Sequence, residues 1–177
     1  MLVDLIERIS NVASNKLSQY ENMPEEDVMK YSIKFLLTNF LTILLIVFVG
    51  LAIERFYEVF LVAFSFALLR RFIGGYHIKS SELCVFASVA LVTVLTLIGG
   101  SIAEYSVFIN IGSLLLVIFY APHNIDDTTL VNKKYFFLFK LIGFCLISIN
   151  FYINNIYVSI GFFAEALTII HFKGGEK

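Results

Sequence analysis

Residues Phe35–Ile53 read FLLTNFLTILLIVFVGLAI, nineteen positions without one charged side chain. At about 1.5 Å of rise per residue, a helix of that length covers roughly 28 Å, close to the ~30 Å hydrocarbon core of a bilayer. Outward from this stretch, the same pattern repeats five times: Phe56–Leu69, Leu83–Ala103, Tyr105–Ala121, Tyr135–Ile153 and Ile156–Phe172. The breaks alternate in kind. Glu54-Arg55, Glu104 and Asn154-Asn155 are minimal turns, whereas Arg70–Glu82 and Pro122–Lys134 are loops of thirteen residues each. The chain therefore reads as an all-α integral membrane protein with about six transmembrane or membrane-embedded helices in three hairpins. The stretch Phe56–Leu69 is short but is kept as a span, expected to tilt little, to thin the bilayer locally or to re-enter it.

Composition agrees. Of 177 residues, 59% are hydrophobic and 15% charged, against about 45–50% and about 25% in soluble domains. Nineteen Phe, no Trp and two Pro describe long apolar helices. Two cysteines, Cys84 and Cys145, cannot frame a disulfide scaffold. A net charge of −1 with sparse charged residues excludes intrinsic disorder and a nucleic-acid-binding domain.

The first 34 residues carry charges throughout and show no cleavable signal peptide. Leu2, Leu5, Ile6, Ile9, Val12, Ala13, Leu17 and Tyr20 fall at helical spacing, with Asp4, Glu7, Arg8, Asn11, Asn15 and Lys16 between them. That pattern predicts an amphipathic N-terminal helix, lying on the membrane surface or packed against the membrane domain. Eleven of the thirteen Lys and Arg fall in the N-terminal segment, the two long loops and the tail, and Arg55 alone falls on the other side. The positive-inside rule then places both termini and both long loops in the cytoplasm of a plasma-membrane protein. Three regions follow: a cytoplasmic amphipathic segment 1–34, a membrane domain 35–172 with a cytoplasmic loop 70–84, and a cytoplasmic tail 173–177.

The loop from Arg70 to Cys84 is the densest polar region, RRFIGGYHIKSSELC. A cysteine beside a histidine is the minimum for thiol nucleophilic chemistry, in which the imidazole takes the proton and the thiolate attacks a carbonyl. Seven positions separate His77 from Cys84, about 10 Å on one continuous helix and too far for a hydrogen bond. A dyad therefore needs a break between them. Ser80 and Ser81 supply one, because serine caps helix N-termini. With Ser81 as the cap, Cys84 sits in the first turn, where the helix dipole favours an anion. Gly74 and Gly75 permit a chain reversal and offer backbone N–H groups for an oxyanion. The competing reading makes Cys84 a small apolar helix residue and His77 a solvated loop residue.

The run Arg70-Arg71-Phe72-Ile73-Gly74-Gly75-Tyr76-His77, followed seven positions later by Cys84, resembles the accessory gene regulator protein B (AgrB) family. These are bacterial membrane cysteine endopeptidases of peptide quorum sensing. The resemblance extends to the length, the amphipathic N-terminus, the apolar spans and the polar loop. It implies cleavage of a small precursor peptide near its C-terminal side through a thioester on Cys84, with His77 as base. An internal side chain of the precursor then closes a thiolactone or lactone ring. Gly74, Gly75 and Ser81 would support this chemistry, and no metal or other cofactor is implied. After Ala121-Pro122 the family's basic, Pro-containing loop is here acidic, through Asp126 and Asp127. No substrate contact is assigned to that loop.

Arg70 and Arg71 fit two roles, anchoring to lipid phosphates or pairing with carboxylates of the precursor. His123 is a poor zinc partner for His77 and Cys84, because the set is one ligand short. Asp126 and Asp127 read as solvated acids, with orientation of His77 as a third catalytic member the competing role, and Cys145 reads as packing. Lys140 and Glu165 are costly within spans and are expected to pair across the last hairpin; they also carry the alternative reading, a small transporter or exporter. A non-catalytic membrane adaptor is the third class. The expected partners are the precursor peptide, membrane lipids and a second copy in a homodimer, since a six-span bundle leaves much apolar surface to cover. Nucleic acid is not among them.

Overall fold

The computed structural model describes residues 5–19, 24–75, 80–121 and 135–170. Its order is α1 (Leu5–Leu17), α2 (Glu26–Ala52), α3 (Phe56–Ile73), α4 (Ser81–Gly99), a 3-10 segment (Gly100–Tyr105), α5 (Ser106–Tyr120), α6 (Phe136–Ile153) and α7 (Ile156–Thr168). Every regular element among the described residues is helical. In a hydrocarbon core each backbone N–H and C=O must be satisfied within its own segment, and a helix does this locally. Glu26–Ala52, Ser81–Tyr120 and Phe136–Ile153 are long and apolar enough to cross a membrane.

Each short break turns the chain as its residues allow. Glu54 (φ 57°) and Asn154 (φ 51°) adopt left-handed backbone, which asparagine tolerates better than most residues. Asn155 then caps α7, its side-chain oxygen accepting the N–H of Tyr157 at 2.9 Å and of Val158 at 3.3 Å. Between α4 and α5 the 3-10 segment breaks at Ile102.

Two expectations change. α3 runs on through the arginines to Ile73, eighteen residues or about 27 Å, so the second stretch is not a short helix. The helix had been expected to stop where apolarity stops, yet nothing before Gly74 breaks it. The N-terminal segment 1–34 is also not one amphipathic unit, since α2 already begins at Glu26. α1 buries Ile6, Ser10 and Ser14 against α2 and α4 and leaves Leu5, Ile9 and Val12 exposed. It packs through its small residues, and its most apolar edge faces outward.

The centre of the bundle is α7. Eight of its thirteen residues are buried, and it packs against α3, α4 and α5. Toward one end Leu69, Ile73, Val117, Ile147, Phe162, Ala166 and Ile169 form one apolar cluster. Toward the other, Val59, Val62, Val92, Ile156 and Ile160 form a second. Gly161 makes the α3–α7 approach possible: a Cβ there would run into the Ser65 hydroxyl and the Val62 carbonyl. Ser159, Gly161, Ala164 and Ala166 together give α7 the small-residue character that close membrane helix packing uses.

Candidate functional site

Hydrogen bonding at the end of α3 fixes where the polar loop begins. The Gly74 N–H donates to the Arg70 carbonyl at 3.1 Å, and Gly74 (φ 74°) and Gly75 (φ 151°) then turn the chain with backbone that only glycine adopts easily. The glycine backbone expected at this pair is present; the course of the chain beyond Gly75 lies outside the described residues. The expectation of two available glycine N–H donors is corrected, because that of Gly74 closes the helix. Tyr76, His77 and Lys79 lie outside the described residues, as do the loop 122–134 with His123, Asp126 and Asp127, and residues 171–177.

The chain is described again from Ser80, and here the cap assignment changes. Ser80, not Ser81, is the N-cap of α4, with extended backbone (φ −83°, ψ 124°) and a hydroxyl accepting the Leu83 N–H at 3.4 Å. Ser81 is the first helical residue. Cys84 is therefore one position deeper than expected, and its N–H donates to the Ser80 carbonyl at 3.0 Å. A cap must have non-helical backbone while its carbonyl opens the helical ladder, and of the two serines only Ser80 does both. The Cys84 thiol is free and half-buried, close to the positive end of α4.

Glu82, in the same first turn, takes a part that sequence reading missed. Its Oε1 accepts the Ile6 N–H at 2.9 Å, so a carboxylate on α4 satisfies a donor that the start of α1 leaves open. Its Oε2 accepts the Ser80 hydroxyl at 3.4 Å. The Glu-after-Ser pattern at a helix start was the available signal; its partner, far away in sequence, was not.

The two arginines separate. Arg71 is exposed, whereas Arg70 turns inward with a fifth of its side chain accessible and reaches Glu165 Oε2 at 3.4 Å. Its guanidinium also lies 5.6 Å from the Phe66 ring centroid. Glu165 is 0% exposed; its Oε1 accepts the Thr168 hydroxyl at 3.1 Å. The Glu165–Lys140 pair expected across the last hairpin is not formed. Lys140 donates instead to the Ile118 carbonyl, at the end of α5. Glu165 lies on the inward side of α7, facing α3, and so meets Arg70.

Gly75 closes onto this pair. A Cβ built on it would lie 2.5 Å from both Glu165 Oε1 and the Thr168 hydroxyl oxygen. The end of α3, the first residues of the loop and the last turn of α7 thus meet at one polar point. It lies at the same end of the bundle as the start of α4, because α3 and α4 are joined there by the loop. Cys145 is exposed on the outer side of α6, so its expected packing role is corrected: it faces away from the core.

No curated protein and no solved structure matches the chain. A family model described as AgrB, accessory gene regulator B, matches residues 6–172. That match runs from α1 past the end of α7 and takes in the Arg70–Cys84 loop. The chain belongs to the accessory gene regulator B family, membrane proteins involved in processing the peptide signal of quorum sensing.

Proposed function

We propose that this protein is a membrane cysteine endopeptidase that cleaves a small precursor peptide and prepares it for ring closure, with Cys84 as nucleophile and His77 as base. The observation that carries the reading is the Cys84 thiol. It is free and half-buried, one turn inside the Ser80-capped start of α4, in a chain that belongs to the AgrB family.

In this mechanism His77 takes the Cys84 proton, and Sγ attacks the scissile carbonyl of the precursor. The C–N bond breaks, the amine of the C-terminal tail leaves with the proton that His77 held, and the N-terminal portion remains as a thioester on Cys84. An internal Cys or Ser of the precursor then displaces Cys84 and closes a thiolactone or lactone. Exchange between thioesters is nearly energy-neutral, so ring closure needs no ATP. Forming the first thioester from an amide is uphill, and removal of the tail or the ring draws the sequence forward. The transport alternative rests on Lys140 and Glu165; Lys140 donates to the Ile118 carbonyl at the protein surface, and Glu165 pairs with Arg70.

The test uses purified protein in lipid vesicles and a small amphipathic candidate precursor peptide whose internal Cys or Ser is replaced by Ala. Tail release with a hydroxylamine-labile adduct on Cys84, both lost in Cys84→Ala and His77→Ala, is the expected result. Cleavage that persists in Cys84→Ala overturns the reading. The same reading puts the loop in the cytoplasm. In a Cys-free background, a cysteine at position 127 should resist an impermeant thiol reagent in intact cells while one at Glu104 is labelled.

A further inference from the structure

Lys140 is a cation in an apolar span, and its surroundings show how much of its bonding capacity and charge is met. α6 begins at Phe136, so Lys140 sits about one turn, or 6 Å, inside its start. The ammonium donates to the Ile118 carbonyl near the end of α5, and the sequence gives the reason. The Val117 carbonyl receives the Ala121 N–H at 3.1 Å. The Ile118 carbonyl would take its donor four positions on, at Pro122, and proline has no N–H. An open carbonyl is costly in lipid, and Lys140 closes this one. That bond uses one of three ammonium donors and leaves the positive charge unpaired. Among the described residues the ion pairs join Glu7 to Lys30 and Lys34, and Glu165 to Arg70. None reaches Lys140.

The same side chain edges a groove of about 250 Å³ between α5 and α6. The other lining residues, Val117, Ile118, Phe137, Leu141 and Phe144, are all apolar. Val117 is buried, whereas Ile118, Phe137 and Leu141 are exposed, so the groove opens away from the bundle. Phe144 lies one turn deeper along α6 than Lys140. A cation near the helix ends and apolar walls below it match the two halves of a phospholipid. Lysine also snorkels, keeping its stem on apolar surface and its charge toward the headgroups. We propose that the α5–α6 groove binds an anionic phospholipid, with its phosphate on the Lys140 ammonium and one acyl chain along Leu141 and Phe144. A zwitterionic headgroup brings its own cation to the phosphate and gains less from Lys140, so the site favours a headgroup of net negative charge. This site is separate from the thiol chemistry and stands whether or not Cys84 is the nucleophile.

The experiment places the full chain in phosphatidylcholine vesicles doped with phosphatidylglycerol that carries a photoreactive diazirine on one acyl chain. After irradiation, mass spectrometry locates the adducts. Adducts should concentrate on Leu141 and Phe144 over Phe40 and Phe86, which are exposed on α2 and α4. Added unlabelled phosphatidylglycerol should displace them, and the same amount of phosphatidylcholine or of inorganic phosphate should not. Lys140→Gln keeps an N–H for the Ile118 carbonyl and removes only the charge. It should lower labelling of the groove by roughly fivefold, the effect of about one cation on an anionic lipid, whereas Lys140→Arg should hold it near the parent level. Leu141→Trp fills the groove, leaves the cation in place, and should lower labelling at Phe144 as well. It decides the question if Lys140→Gln does not fold. Parent-level labelling in a folded Lys140→Gln, or in Leu141→Trp in its place, overturns the inference. So does labelling of the groove no stronger than that of Phe40 and Phe86, or equal displacement by phosphatidylcholine, either of which marks ordinary bulk lipid. Displacement by inorganic phosphate alone makes this a simple anion contact and overturns the lipid site.

Discussion

The two ends of α7 bury polar groups in opposite ways. At its start, Asn150 on α6 donates to the Ser159 hydroxyl at 2.8 Å and to Asn110 Oδ1 at 3.1 Å, while Ser159 meets Ser106 at 2.9 Å. These groups are neutral, come from α5, α6 and α7, and bond to one another. At its end, the buried Glu165 pairs with the partly exposed Arg70, and Glu165 and Thr168 crowd the backbone of Gly75. Amides and hydroxyls join membrane helices at modest cost. A charge pair is a poor way to gain stability, because desolvation consumes much of its attraction. Neutral groups therefore suffice where helices only need joining. The Arg70–Glu165 pair stands where α3 ends at Gly74 and the polar loop begins.

The contrast can be broken by removing one partner at each end. Arg70→Ala removes the partner of the buried Glu165 Oε2 and should cost about 1–3 kcal/mol, read as a lower unfolding midpoint in detergent together with lost peptide cleavage. Asn150→Ala should cost about 1 kcal/mol and leave cleavage per folded molecule unchanged. Equal losses of cleavage at the two ends would erase the distinction drawn here. The start of α4 sharpens it further. Ser80→Ala removes the cap and should cost about 1 kcal/mol with a partial fall in Cys84 alkylation at neutral pH, whereas Ser81→Ala should be nearly silent. The reverse order would restore Ser81 as the cap. Smallest of all, Cys145→Ala should change the unfolding free energy by no more than about 0.5 kcal/mol, as expected of an outward-facing residue.

Much of this was legible without coordinates. The apolar runs and short breaks located five of the helices to within about four residues, α2 beginning nine residues ahead of its apolar run, and Gly74-Gly75 marked the end of α3. The cap was legible only as a pair, since Ser80 and Ser81 are chemically alike and the choice depends on which has extended backbone. Glu165 stood out as a charge in an apolar run, yet its partner was misassigned. Lys140 is nearer in sequence and in the neighbouring helix, but its ammonium reaches the α5 carbonyl end, while Arg70 lies on the helix that α7 packs against most closely.

The sequence by itself determined that the chain is a membrane helical protein, where its hairpins turn, and that a thiol and an imidazole stand seven residues apart in a polar loop. Charge-free runs of this length have few other homes, and turn residues act locally. Tertiary structure alone decided that the last apolar run is the centre of the bundle, that α1 packs by its serines, and that Arg70 turns inward while Arg71 does not. The reason is physical: lipid is as apolar as a protein core, so hydrophobicity says that a helix is in the membrane but not which side meets protein. That is settled by where small residues let backbones approach and where a buried charge finds its partner.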